Sequence, residues 1–91
     1  MPTVKIPTQL RNLTGGAQEV TAAGTTLSEV VDDLENRYPG IRQRLVDDSG
    51  GLRRFVNVYL DDEDVRFLDG IKTEVPENGR LSIVPAVAGG A

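Results

Sequence analysis

The sequence contains neither cysteine nor histidine. Their absence excludes disulfides, thiolate and imidazole catalysis, and the usual ligand sets of zinc and iron–sulfur centres. The side chains left for nucleophilic or acid–base chemistry are those of serine, threonine, lysine and the carboxylates. Most enzyme chemistry that depends on a side-chain nucleophile is therefore excluded.

Basic residues are in the minority, and long apolar runs are missing. Ten Lys and Arg residues against 14 Asp and Glu residues give a net charge of −4, which argues against non-specific nucleic-acid binding. No run of about 18 apolar residues is present, so no transmembrane helix is predicted. No basic and then apolar leader opens the sequence, so we expect a cytoplasmic protein. The 91 residues suit one small domain.

Hydrophobic periodicity predicts the order strand, strand, helix, strand, short strand, strand, which is typical of an α+β fold. The helix is the clearest element, because Thr26 and Glu29 have the spacing of a capping box. Its apolar residues fall on one face, and they are Leu27, Val30, Val31 and Leu34. Residues 54–60 form the strongest strand pattern, and residues 65–68 are predicted to be short and extended.

One face of the predicted sheet is a candidate interaction surface. In the strand 54–60, Phe55 and Tyr59 alternate with the aliphatic residues, so they point away from the helix. Val84 projects opposite to its apolar neighbours in the last strand, and Pro7 in the first part of the chain lies near them. We interpret Pro7, Phe55, Tyr59 and Val84 as a partner-binding face, the alternative being that loops cover it.

The end of the sequence changes from a strand pattern to small residues. Pro85 ends the ladder because it has no N–H to donate. We predict a domain over residues 1–85 and a flexible tail over residues 86–91. The extended chain from Pro85 to Gly90 would reach roughly 20 Å at about 3.3 Å per residue, enough to enter a narrow slot in another protein. The alternative is an ordinary frayed terminus.

The segment Val84-Pro85-Ala86-Val87-Ala88-Gly89-Gly90 resembles the carboxyl end of the MoaD/ThiS family of ubiquitin-like sulfur carriers. The similarity continues in the helix start 26–29, the strand 54–60 and the segment 62–67. Residues 54–59 and 62–67 most resemble the carriers that serve cysteine biosynthesis. The resemblance implies a β-grasp, ubiquitin-like mixed sheet with one main helix packed on one face. It also implies that the first and last strands lie side by side and parallel.

The resemblance further implies a function for the tail. Gly90 would be the attachment point, adenylated and thiocarboxylated by an E1-like adenylating and sulfurtransferase enzyme, with Val87, Ala88 and Gly89 recognised by that enzyme. A PLP-dependent cysteine synthase would accept the sulfur. The chain itself would bind no cofactor or metal and would not be an enzyme, since ATP and PLP are used by its partners.

One residue departs from the family pattern. The active carriers end at Gly-Gly, whereas this sequence continues to Ala91. We expect a JAMM-type zinc peptidase to remove Ala91, although adenylation on Ala91 and an inactive carrier are alternatives. Four other functions remain open: a MoaD-like donor to molybdopterin synthase, a carrier shared among thio-metabolite pathways, a ubiquitin-like protein modifier, and a regulatory β-grasp module with an inert tail.

Overall fold

The computed structural model describes residues 1–85. Within these residues the strands and the main helix follow the predicted order, with a second, short helix after the first. The elements are β1 (Thr3–Lys5), β2 (Glu19–Thr21), α1 (Leu27–Arg37), α2 (Arg42–Leu45), β3 (Val56–Leu60), β4 (Glu63–Asp64) and β5 (Arg80–Pro85). Short 3-10 helices span Thr8–Leu13, Val65–Phe67 and Gly70–Lys72. No helix among the described residues is long and apolar enough to cross a bilayer.

The strands form one mixed sheet in the order β2-β1-β5-β3-β4. The first and last strands are parallel neighbours, with Val4 opposite Leu81. The pairs β1–β2, β3–β5 and β3–β4 are antiparallel. This topology confirms the α+β class and the β-grasp arrangement, and it places the last strand at the centre of the sheet.

The main helix covers one face of this sheet, as its apolar spacing predicts. All four apolar residues of α1 are at most 2% exposed. They pack into one core with the inward residues of the central strands, among them Val4, Val58, Leu81 and Ile83. The hydroxyl of Thr26 accepts from the main-chain N–H of Glu29 at 3.2 Å, which confirms the N-cap. The opposite face of the sheet is therefore the one that remains for contacts with other molecules.

The prediction for residues 65–68 was wrong. Val65–Phe67 forms a 3-10 turn, and the short strand between β3 and β5 is Glu63–Asp64. The carboxylate of Asp64 accepts from the main-chain N–H of Arg66 at 2.8 Å, and Val65 is fully buried. This local cap and the burial of Val65 favour a tight turn over an extended chain.

Candidate functional site

The candidate site lies at the end of β5, where the described part of the chain ends. β5 is hydrogen-bonded to β1 on one side and to β3 on the other. Its final residue, Pro85, lies opposite Val56, the first residue of β3. Leu81 and Ile83 are 2% and 5% exposed and hold the strand in the core. Whatever follows Pro85 therefore starts from a fixed point at one end of the sheet.

The predicted tail itself lies outside the described residues. Val87, Ala88, Gly89, Gly90 and Ala91 all fall in this part of the chain. Their roles stay predictions from the sequence, and so does the boundary between a domain over residues 1–85 and a tail.

The four residues of the predicted face differ in their exposure and in their distance from the end of β5. Val84 lies opposite Asn57, on the sheet face away from α1, and is 44% exposed. Phe55 directly precedes β3 and is 53% exposed. Pro7 is half-buried and lines a shallow depression of about 450 Å³ together with Val84 and Pro85. The two most accessible members of the face thus lie beside the end of β5.

Tyr59 lies farther from the end of β5 than Val84 and Phe55 do. It is half-buried and pairs with Ser82 of β5 and Asp64 of β4. Val84 and Phe55 are therefore exposed, whereas Tyr59 and Pro7 are half-buried. The face is best regarded as an apolar patch centred on Val84 and Phe55.

Sequence reasoning missed Arg66 and Phe67. The guanidinium of Arg66 donates to the Asn57 side-chain oxygen and to the main-chain oxygens of Arg53 and Arg54. Phe67 is 87% exposed, more than any other large apolar side chain of the described residues. In the sequence, the segment 62–67 shows only a family resemblance. An extended conformation for residues 65–68 predicts neither the hydrogen bonds of Arg66 nor the exposure of Phe67.

The carboxylates whose pKa values are lowered accept hydrogen bonds from other residues of the fold. The pKa of Glu29 is lowered chiefly by the main-chain N–H of Thr25, which donates at 2.8 Å. The pKa values of three further carboxylates are also lowered because their charged forms accept hydrogen bonds, and these are Asp33, Glu35 and Asp47. Among residues 1–85 no group of three or more potential ligand side chains could hold a metal ion.

A five-stranded mixed sheet, one covering helix and a central last strand that leads to a Gly-Gly sequence together define a ubiquitin-like β-grasp protein. The model of the ThiS family matches residues 4–90, and the chain belongs to that family. The resemblance inferred from the tail, the strand 54–60 and the helix start is thereby confirmed.

Individual relatives support the same assignment. The chain is 53% identical over 90 residues to the sulfur carrier protein CysO of Mycobacterium tuberculosis, covering 97% of each sequence. It matches a chain in the crystal structure of the Amycolatopsis orientalis BexX/CysO complex with a TM-score of 0.93 and 52% identity, covering 99% of this chain and 100% of that one. It is also 37% identical over 65 residues to small archaeal modifier protein 3 of Haloferax volcanii, covering 71% of this chain and 70% of the relative.

Proposed function

We propose that this protein is a sulfur carrier for cysteine biosynthesis, with the carboxylate of Gly90 as the sulfur-bearing group. The observation that carries the proposal is the 53% identity to the sulfur carrier protein CysO across 97% of both chains. The central position of β5 adds a physical reason. A terminus that continues from a strand held on both sides can be offered to a partner without distorting the domain.

The first step is activation of the terminal carboxylate. An E1-like enzyme joins the Gly90 carboxylate to the α-phosphate of ATP, giving an acyl-adenylate and pyrophosphate. Sulfide then attacks the acyl carbon, the C–S bond forms as the C–O bond to AMP breaks, and AMP leaves to give the thiocarboxylate. The acyl-adenylate has to be kept from water, and a narrow pocket around Gly89 and Gly90 would do so, since neither carries a side chain.

The patch beside the end of β5 is the docking surface in this scheme. Val84 and Phe55 supply accessible apolar area, with Pro7 and Tyr59 at its margins. Apolar and aromatic residues at the centre of an interface carry a large share of binding energy. Val87 and Ala88 would then be recognised on the path to the active site of the partner. The carrier supplies recognition, and the enzymes supply every catalytic group.

The second step transfers the sulfur. A PLP-dependent cysteine synthase would first eliminate the leaving group of an activated serine, such as the phosphate of O-phosphoserine, and the thiocarboxylate sulfur would then add to the β-carbon of the resulting double bond to form a thioester. The resulting thioester rearranges to the amide when the cysteine amino group attacks the Gly90 carbonyl. A JAMM-type zinc peptidase hydrolyses that amide, which releases cysteine and restores the Gly90 carboxylate. The carrier is a cosubstrate that returns to its starting state.

The same peptidase accounts for Ala91. An enzyme that hydrolyses the bond after Gly90 to release cysteine has the specificity needed to release Ala91. Removal of Ala91 would expose the Gly90 carboxylate for activation. In this proposal Ala91 keeps the chain inactive until it is removed.

Reconstitution with purified partners tests the function and the processing step separately. The full chain, a chain ending at Gly90 and a chain ending at Gly89 are incubated with the adenylating enzyme, ATP and a sulfur source, and their intact masses are measured. We expect oxygen to be replaced by sulfur in the chain ending at Gly90, and in the full chain only after peptidase treatment. The chain ending at Gly89 is the negative control. Conversion of the uncut full chain would overturn the processing step, and no conversion of either longer chain would overturn the carrier function.

Other pathways are distinguished by the acceptor. A MoaD-like donor would deliver its sulfur to molybdopterin synthase, and a shared carrier would deliver it to more than one thio-metabolite pathway. Labelled thiocarboxylate is offered to each purified acceptor in turn. Label in cysteine alone supports the proposal, and label in molybdopterin or in several products replaces it.

A protein-modifier role is the second candidate, favoured by the 37% identity to small archaeal modifier protein 3. It predicts Gly90 in isopeptide linkage to lysines of other proteins. Proteolysis of extracts from the native cells, followed by a search for lysines that carry the tail remnant, is the test. Conjugates would support this role, and their absence in cells that contain the thiocarboxylate would exclude it.

A further inference from the structure

Arg66 connects two parts of the chain that meet beside the end of β5. One terminal nitrogen of its guanidinium donates to the Asn57 side-chain oxygen, within β3. The other donates to the main-chain oxygens of Arg53 and Arg54, at 3.3 Å for Arg54, in the turn before β3. A planar guanidinium can satisfy acceptors in several directions at once, and its charge strengthens each bond.

The backbone that carries Arg66 is itself fixed. Its own N–H donates to the carboxylate of Asp64 at 2.8 Å. The preceding residue, Val65, is 0% exposed and belongs to the core. The guanidinium therefore extends from an anchored turn, so its three bonds can hold the neighbouring segment in place.

The held segment is the one that supports both Phe55 and the end of β5. The main-chain oxygen of Arg53 also accepts from the N–H of Val56 at 3.1 Å. Val56 lies opposite Pro85, and Asn57 lies opposite Val84. Phe55 stands between the carbonyl of Arg54 and the start of β3, so the bonds of Arg66 flank it on both sides.

We propose that Arg66 is a positioning residue for docking of the adenylating enzyme. It orders the turn that carries Phe55 and the β3 residues that pair with Val84 and Pro85, so that the patch and the start of the tail form one preformed surface. A surface ordered before binding loses less conformational entropy when a partner docks. The inference rests on the proposed function for the identity of the partner, but the ordering itself is a property of the free chain.

Three variants separate positioning from charge. Arg66→Gln removes the guanidinium, and Arg66→Lys keeps the positive charge but replaces the two separate terminal nitrogens by a single ammonium nitrogen. Arg44→Gln removes the same charge from an exposed position of α2 and is the matched control. Each is made in the full chain, treated with the peptidase for kinetics, and assayed well below its unfolding midpoint.

The first measurement is amide hydrogen exchange in the free protein. We expect the N–H of Val56 to exchange about tenfold faster in both Arg66 variants, because loss of a charge-assisted bond loosens the turn. The N–H of Val30 in α1, which donates to the main-chain oxygen of the N-cap residue Thr26, should exchange at an unchanged rate and serves as the internal reference. Wild-type exchange at Val56 in either Arg66 variant would overturn the inference.

The second measurement is steady-state adenylation by the partner. We expect the KM for the carrier to rise about tenfold in both Arg66 variants with kcat unchanged, because docking is impaired and the reacting carboxylate is not. A normal KM in Arg66→Lys would assign the effect to charge, and a normal KM in Arg66→Gln would limit Arg66 to local stability. Either result overturns the inference. Failure of the proposed function would look different, since the wild-type chain would then not be activated at all.

Discussion

Replacing Val84 by aspartate should impair activation of the carrier and leave the domain folded. Val84 is 44% exposed on the sheet face away from α1, whereas its neighbour Ile83 is only 5% exposed and belongs to the core. A substitution at Val84 therefore opens no cavity. The cost to stability should stay within the range of about 1 kcal/mol that strand preferences span.

The loss of docking energy can be estimated from the exposed share of the side chain. Full burial of a valine contributes about 1.5 kcal/mol, so the 44% still exposed is worth about 0.7 kcal/mol. Val84→Ala should then lower kcat/KM for adenylation about threefold. Val84→Asp also buries a carboxylate in the interface, at a cost of several kcal/mol, so kcat/KM should fall roughly 100-fold or more.

The assay measures pyrophosphate release with peptidase-treated carrier, and circular dichroism checks the unfolding midpoint. Thr21→Asp is the matched control, because Thr21 is an exposed strand residue of the same sheet. It lies opposite Thr3, which in turn lies beside Arg80 at the start of β5, so it is far from Val84. A normal kcat/KM for Val84→Asp, or an equal loss in Thr21→Asp, would refute the assignment of the patch.

Three further outcomes are expected. About half of the Phe55 side chain, out of an aromatic surface of roughly 200 Å², is exposed and free to be buried by a partner, which is worth up to about 2.5 kcal/mol. Phe55→Ala should therefore lower kcat/KM roughly 10- to 70-fold at an unchanged unfolding midpoint, and a change of less than twofold would remove Phe55 from the patch. Bonds from Thr25 lower the pKa of Glu29 below its ordinary 4.5, so their contribution to stability is complete above that pH and is lost as the pH falls through the lower folded pKa. Glu29→Gln should therefore be less stable than wild type at neutral pH, and the difference in stability should shrink in acid. Thermal scans at a series of pH values measure this difference, and a difference that widens in acid would contradict the prediction. Gly24→Ala would place a Cβ 2.7 Å from a main-chain nitrogen of α1, so the free energy of unfolding, measured in urea, should fall by about 1–3 kcal/mol. Gly51→Ala is the control, because its Cβ would meet only a hydroxyl at 3.9 Å and its free energy of unfolding should stay near that of wild type.

Local sequence patterns were enough to predict the features that are set by residues close together in the sequence. The spacing of Leu27, Val30, Val31 and Leu34 identified the buried face of α1, and the Thr26 cap identified its start. Strand alternation likewise indicated that Val84 points away from the core. Periodicity reports only which side of an element is apolar, so the parallel pairing of β1 with β5 came from the family resemblance.

Features that depend on contacts between distant residues were not predicted. Residues 65–67 turn in part because Val65 is drawn into the core, an outcome that the short apolar pattern does not encode. The acceptors of Arg66 lie 9, 12 and 13 residues away along the chain, so no local rule connects them. The partial cover of Tyr59 likewise depends on its surroundings in the folded sheet.

The most direct test of the carrier function is the intact mass of the protein isolated from its native cells. The account predicts a population that has lost Ala91 and has one oxygen replaced by sulfur, with the change located at Gly90 by fragmentation. Cells in which the protein is found only with Ala91 in place and an ordinary carboxylate, under conditions that demand cysteine synthesis, would contradict it.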